Sequence, residues 1–192
     1  MPKVNLNPTV LLFPLPVVLL TCVDKSGQAN IITLAWVGIV NSEPPMVSVS
    51  IRPSRYSASL VKTSGEFVIN IPSEKMVREV DICGMVSGKE VDKFAKTGLT
   101  PKPAKEVSPP LIEECPVNLE CKVRETISLE SHEVFLAEIM AIHVEKNVLR
   151  GRGKVDMTKI LPIVYCGGIR EYWSMGKRLE SQGHSAKASK VK

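Results

Sequence analysis

Residues 10–23, VLLFPLPVVLLTCV, are apolar almost without a break, and Pro14 and Pro16 interrupt them. The run is too short to span a bilayer as a helix and reads as a loop leading into a buried strand. Asp24, Ser26 and Gly27 supply turn chemistry, and ANIITLAWVGIV (29–40) returns as a second strand. NSEPP breaks the chain. MVSVSI (46–51) then alternates apolar and small polar residues, the period of a strand with one face on a core. RYSASLVKTS predicts one or two helical turns before Gly65, and EFVINI (66–71) predicts another strand, stopped by Pro72. Ser73 stands as an N-cap ahead of Met76, Val77, Val80 and Cys83, which recur at helical spacing.

SGKEVDKF (87–94) predicts a short helical turn, and five prolines between 100 and 116 keep that stretch extended or looped. VNLECKVRETISL and EVFLAEIMAIHVEKNVL read as long strands, GRGKVDMTK as loop, and ILPIVYCGGIREYWSMGKRLES closes the domain. The pattern predicts a mainly β protein: a closed or nearly closed antiparallel barrel of about six strands with a few edge helices.

Composition adds little to this picture. The chain has 192 residues, 44% apolar and 23% charged, which fits one domain with a real core. Charge changes it at one place. Of the net +5, the segment Lys177–Lys192 carries +4, from five basic residues and one acid. Residues 1–180 therefore read as the domain, and 181–192 as a basic, flexible tail. No basic helix or aromatic-basic strand accompanies that tail, so nucleic-acid binding is not expected, and neither is a membrane span. Five cysteines without a CxxC pair read as buried thiols in a reducing cytoplasm, not as a disulfide framework or a zinc site.

The chemistry-bearing residues gather at strand ends. No P-loop, GxGxxG or GxSxG motif is present, and His132, His143 and His184 share no metal-ligand spacing, so no metal is expected. IRPSRYSAS is the unusual stretch: Arg52, Ser54, Arg55, Ser57 and Ser59 lie between two apolar runs. Guanidinium forks, hydroxyls and backbone N–H groups are what a phosphate dianion requires, though an ordinary polar turn has the same composition. Thr33 sits mid-strand, Ser48 and Ser50 share one strand face, and Asn70 lies inside FVINI, where an amide needs partners or a ligand.

The order NIITLAW, SEPPMVSVSIRPSRYSASLVKTSGEFVINIP, SGKEVDKF, SHEVFLAEI and YCGGIREYWSMG resembles the flavin reductase-like family of FMN-binding split barrels, in its flavoredoxin-type branch. The match covers roughly residues 10–180. The resemblance implies a six-stranded Greek-key split barrel, a homodimer, and FMN as cofactor. It implies that Thr33, Leu34, Ala35 and Trp36 line the isoalloxazine, and that Ser50, Arg52 and Ser57 hold the phosphate. Lys89 and Lys93 would stand at the phosphate end, Asn70 on the flavin or ribityl chain, and Tyr165 against the flavin. His132 would lie at its reactive face. The segment Glu130-Ser131-His132 keeps the histidine of the family's Gly-Asp-His motif but not its glycine and aspartate, so use of NAD(P)H does not follow. The implied function is an oxidoreductase passing electrons or hydride through FMN to a small acceptor such as flavin or a ferric chelate. The alternative is a non-enzymatic carrier between redox proteins.

Overall fold

A computed structural model describes residues 1–182. In chain order the elements begin with β1 (Leu15–Pro16), β2 (Val18–Val23), β3 (Ala29–Leu34), β4 (Val37–Ser42) and β5 (Pro45–Ile51). Then come α1 (Tyr56–Ser64), β6 (Glu66–Ile71), α2 (Val77–Met85), α3 (Lys93–Thr97), β7 (Pro101–Lys102) and β8 (Leu111–Ile112). The long β9 (Val117–Ser128) and β10 (Glu133–Val144) follow, then β11 (Leu149–Arg150), β12 (Lys154–Val155) and α4 (Met157–Ile160). The hairpin β13 (Ile163–Cys166) and β14 (Glu171–Ser174) comes last. Most of the predicted basic tail, residues 183–192, lies outside the described residues, as does His184.

The main sheet has seven strands in the order β3-β2-β6-β9-β10-β5-β4, every pair antiparallel. β3 and β4 stand at its two edges, yet only Ala35 and Trp36 separate them in sequence. The two edges must therefore meet, and the sheet curls on itself. The expected count of six is corrected to seven. ANIITLAWVGIV reads from its pattern as one strand, but it breaks at the corner Ala35–Trp36 and changes pairing partner from β2 to β5. The Ser50 N–H donates to the Trp36 carbonyl at 2.9 Å and ties that corner to β5.

Alternation explains which faces are buried. Val47, Val49 and Ile51 of β5 point into the barrel with Leu20, Phe67 and Phe135, while Ser48 and Ser50 face out. β2 does not alternate, because all six of its residues are buried. Val18, Leu20 and Cys22 face the barrel core, whereas Leu19 packs outward against Met76, Val80 and Cys83 of the helical layer. A strand covered on both faces reads as one apolar run. α1 is a full nine-residue helix, longer than the one or two turns expected, and Ala58, Leu60 and Val61 add to the barrel core. Ser73 makes no side-chain cap; it precedes a short 3-10 turn at Glu74–Met76, and α2 starts at Val77. The segment read as loop at 151–159 holds β12 and the start of α4, which runs on to Ile160 and is capped by Asp156, whose carboxylate accepts from the Thr158 N–H.

Candidate cofactor cleft

A cleft of about 310 Å³ opens where the barrel corner, α2 and the β13–β14 hairpin converge. Each element brings its residues there for a local reason. The corner strand delivers Thr33, Leu34, Ala35 and Trp36. β5 brings Ser50 and its last residue Ile51, and the chain continues through Arg52 and Arg55. α2 contributes Asp81, Gly84 and Met85, and the hairpin contributes Tyr165 and Tyr172. Thr33 Oγ1 donates to the Val80 carbonyl at 2.5 Å and clamps β3 to α2. Helix and strand run close at this crossing: a Cβ on Gly84 would come into contact with Thr33 Cβ at 3.4 Å.

One end of the cleft is aromatic. The His132 ring stacks on Trp36, with centroids 4.4 Å apart and planes 29° from parallel. His132 is buried, and Ser131 Oγ lies 2.8 Å from its Nδ1. Burial, with the charge of Arg52 beside it, holds the His132 pKa below the ordinary histidine value. The ring is therefore neutral at pH 7, able to donate from one nitrogen and accept at the other. Tyr165 and Tyr172 pack at 5.4 Å on the far side. The Tyr172 hydroxyl reaches towards Asp81 Oδ1 at 3.5 Å, and burial with that charge pushes its pKa up to about 12.

The other end is cationic and continues into a smaller pocket of about 110 Å³, shared through Ile32, Arg55 and Gly84. Here Ser54, Ser57, Ser87, Gly88 and Lys93 surround the N-terminus of α1. That terminus has no side-chain cap; the Ala58 N–H donates to the Arg55 carbonyl at 3.0 Å, and the N–H groups of Tyr56 and Ser57 ahead of it can meet an anion. Asn30 Nδ2 donates to Ser57 Oγ at 2.8 Å and orients it. Gly88 must lack a side chain, since a Cβ would fall 2.0 Å from Asn30 Oδ1. Lys93 is buried with no carboxylate partner. Its ammonium donates to the carbonyls of Ile31 and Cys83, each at 2.7 Å, and burial lowers its pKa, with Arg55 adding to the effect. Among the described residues, neither Arg52 nor Arg55 nor Lys93 forms an ion pair with a carboxylate.

The structure thus brings together Thr33, Leu34, Ala35, Trp36, Ser50, Arg52, His132 and Tyr165 in the cleft, and Ser57 and Lys93 in the smaller pocket. Two expected residues are placed elsewhere. Lys89 lines neither space; its ammonium stands 5.8 Å from the centre of the Tyr56 ring. Asn70 is fully buried away from the cleft. Its Nδ2 donates to the Leu19 carbonyl, and its Oδ1 accepts from the Ile112 N–H at 2.9 Å and from Asn118 Nδ2 at 2.8 Å. An amide so fully partnered holds β8 against the barrel and has no bond left for a ligand. The residues that sequence reasoning did not single out are Asn30, Asp81, Gly84, Ser87 and Tyr172. Only the glycine-serine content of GMVSG hinted at a close approach.

The pattern of the chain matches the flavin reductase like domain over residues 10–173. The protein belongs to that family. A flavoredoxin of Desulfovibrio vulgaris (Miyazaki F) superposes with a TM-score of 0.91 at 35% identity, covering 96% of this chain and 99% of that one. A flavoredoxin from Methanosarcina acetivorans gives 0.88, also at 35%, over 97% of this chain and all of the other. A protein of uncharacterised function from Archaeoglobus fulgidus is 35% identical over 146 residues, 76% of this chain and 80% of its own length. Among the described residues no helix is long and apolar enough to cross a membrane, and no three metal-capable side chains come together.

Proposed function

We propose that the protein binds FMN in this cleft and acts as a flavin-dependent oxidoreductase that passes electrons or hydride to a small acceptor. The observation that carries the reading is the pairing of two compartments. Arg55, Lys93 and an open helix N-terminus fill one end, and an aromatic slot with Arg52 at its side forms the other. A single phosphate with a tricyclic ring has that division. Arg52, Arg55 and Lys93 gather around one phosphate-sized region, which favours FMN over a dinucleotide flavin.

Bound flavin would supply the redox chemistry; the chain supplies binding, orientation and exclusion of water. Arg55, Ser54, Ser57 and Lys93 would hold the phosphate, with Asn30 fixing the hydroxyl of Ser57. Thr33 to Trp36 and Tyr165 would flank the ring. Neutral His132, held flat on Trp36, offers a hydrogen bond at the ring's edge without adding a second charge beside Arg52. Lys89 and Asn70 have no part in this arrangement.

A carrier role between redox proteins is the second reading. It is favoured by Trp36, which is 39% exposed at the mouth and so offers a partner direct contact. Anaerobic stopped-flow with NADH and NADPH separates the two. Fast bleaching of the bound flavin supports the oxidoreductase, and no bleaching by either nucleotide supports the carrier. A purified protein that is colourless and takes up no FMN on titration sinks both.

A further inference from the structure

Across Trp36 from the cleft lies a second compartment, a groove of about 590 Å³. It shares Ala35, Trp36 and Ser50 with the cleft. One wall is an N-terminal strap that includes Leu11 and Leu12; the floor is the outer face of the β4–β5 hairpin at Gly38 and Ser48. The strap is anchored by β1, whose Leu15 pairs with Tyr165 of β13. Every side chain lining the groove is uncharged, in contrast to the cleft with its Arg52, Arg55 and Asp81.

Two glycines border the space. Gly38 sits inside β4 opposite Ser48, and its φ is not positive. A Cβ there would meet only Ser48 Oγ, at 4.0 Å, so neither backbone nor packing requires glycine. Glycine inside a strand marks a bulge, a bend or a close approach by a ligand or another backbone; a bulge follows at Ile39–Asn41, and the bare Gly38 leaves the floor of the groove open. Gly168 borders it from the other side. A Cβ on it would lie 2.8 Å from Leu11 Cδ1, the end of an exposed side chain, so the β13–β14 turn and the strap run close together.

We propose that this groove is the acceptor site, and that it takes planar, uncharged molecules of the quinone type in preference to anionic ones. Its continuity with the cleft through Trp36 places an occupant beside the cofactor. Its hydroxyls, from Thr9, Ser48 and Ser50, can bond a carbonyl oxygen, but nothing in it neutralises a negative charge. The word acceptor rests on the flavin reading above; the binding site does not.

The test is calorimetric titration of the full chain, with and without FMN, using 2-methyl-1,4-naphthoquinone and its charged analogue 1,4-naphthoquinone-2-sulfonate. The neutral quinone should bind at one site per chain. The sulfonate should bind about tenfold more weakly or worse, because a charge enters an apolar groove without a partner. Gly38→Val should weaken the neutral quinone about tenfold by filling the floor, while FMN affinity, followed by flavin fluorescence, stays within about twofold. Should Gly38→Val not fold, Ser48→Asp makes the same comparison by adding charge to the floor. Equal binding of the two quinones, no saturable binding, or an unchanged quinone affinity in the folded variant overturns the proposal. So does a particle mass that falls by half as quinone is added, since the groove would then belong to a second copy of the chain. If the chain takes up no FMN, the oxidoreductase reading falls, and titration of the unloaded protein still decides the groove.

Discussion

At the scale of single residues, the cleft separates charge recognition from ring recognition, and the two can be removed independently. Arg55 is the guanidinium that borders both spaces. A hydrogen bond to a charged group is worth roughly 1.5–3 kcal/mol. Arg55→Ala should therefore weaken FMN about ten- to a hundredfold, while riboflavin, which lacks the phosphate, hardly changes. Fluorescence titration of both ligands checks this; equal loss of both would assign Arg55 to the ring or the fold. His132 gives a pH signature. Its pKa is depressed in the folded chain, so the unfolded chain binds more protons just below the ordinary value near 6.5. That contribution is neutral above this value, and stability falls as pH drops through it. In urea unfolding, the midpoint should drop more between pH 7.5 and 5.5 for the wild type than for His132→Phe. A parallel drop would show that His132 does not titrate against the fold. Asn70 marks the limit of reading residues singly. A buried strand amide invites a ligand on paper, but its partners, Ile112 and Asn118, lie more than forty positions away, and no local pattern announces them.

At the scale of elements, strands were legible wherever one face was buried and the other was not, as in MVSVSI. The corner at Ala35–Trp36 was not legible, because both halves of ANIITLAWVGIV carry strand-forming residues and the break reflects a change of pairing partner. The proline-rich stretch shows how an element without its own periodicity is held. Glu120 is fully buried on β9, and its carboxylate accepts from the backbone N–H groups of Lys105, Glu106 and Val107 and from His143 Nε2 at 2.5 Å. Burial alone would raise its pKa, but these donors outweigh it and hold the carboxyl below its usual range. The anchor is therefore complete above the ordinary glutamate pKa and lost as pH falls through the depressed folded value. Glu120→Gln turns an N–H₂ towards backbone donors and should cost roughly 1–3 kcal/mol. Chemical denaturation measures the loss, and limited proteolysis should show new cutting between 101 and 110. An unchanged midpoint with an intact loop would mean that the prolines alone fix the segment.

At the scale of the whole molecule, the curled sheet leaves apolar side chains outside. Part of the apolar material is used within the chain: Val17 to Leu20 are buried and Tyr172 lines the cleft. What stays outside includes Val4, Leu6 and Phe13 of the N-terminal segment, together with Ile39 and Val40 of β4. Ile39 is 72% exposed although it pairs with the core residue Val47, and it sits on the face of β4 opposite to Gly38. Monomers seldom leave large contiguous apolar patches in water, and a two-fold dimer is the commonest way to cover one. We therefore expect a homodimer in which Ile39 is covered and the groove floored by Gly38 stays open beside it. Light scattering at micromolar concentration should give twice the chain mass, and Ile39→Lys should bring it to the monomer without loss of secondary structure, since the side chain supports no contact inside the barrel core. The same variant should keep FMN affinity, because Ile39 lines neither the cleft nor the phosphate pocket. A wild type that runs as a monomer removes the dimer. A dimer that survives Ile39→Lys moves the interface to the N-terminal segment, where a truncation before Thr9 would then be the variant that halves the mass.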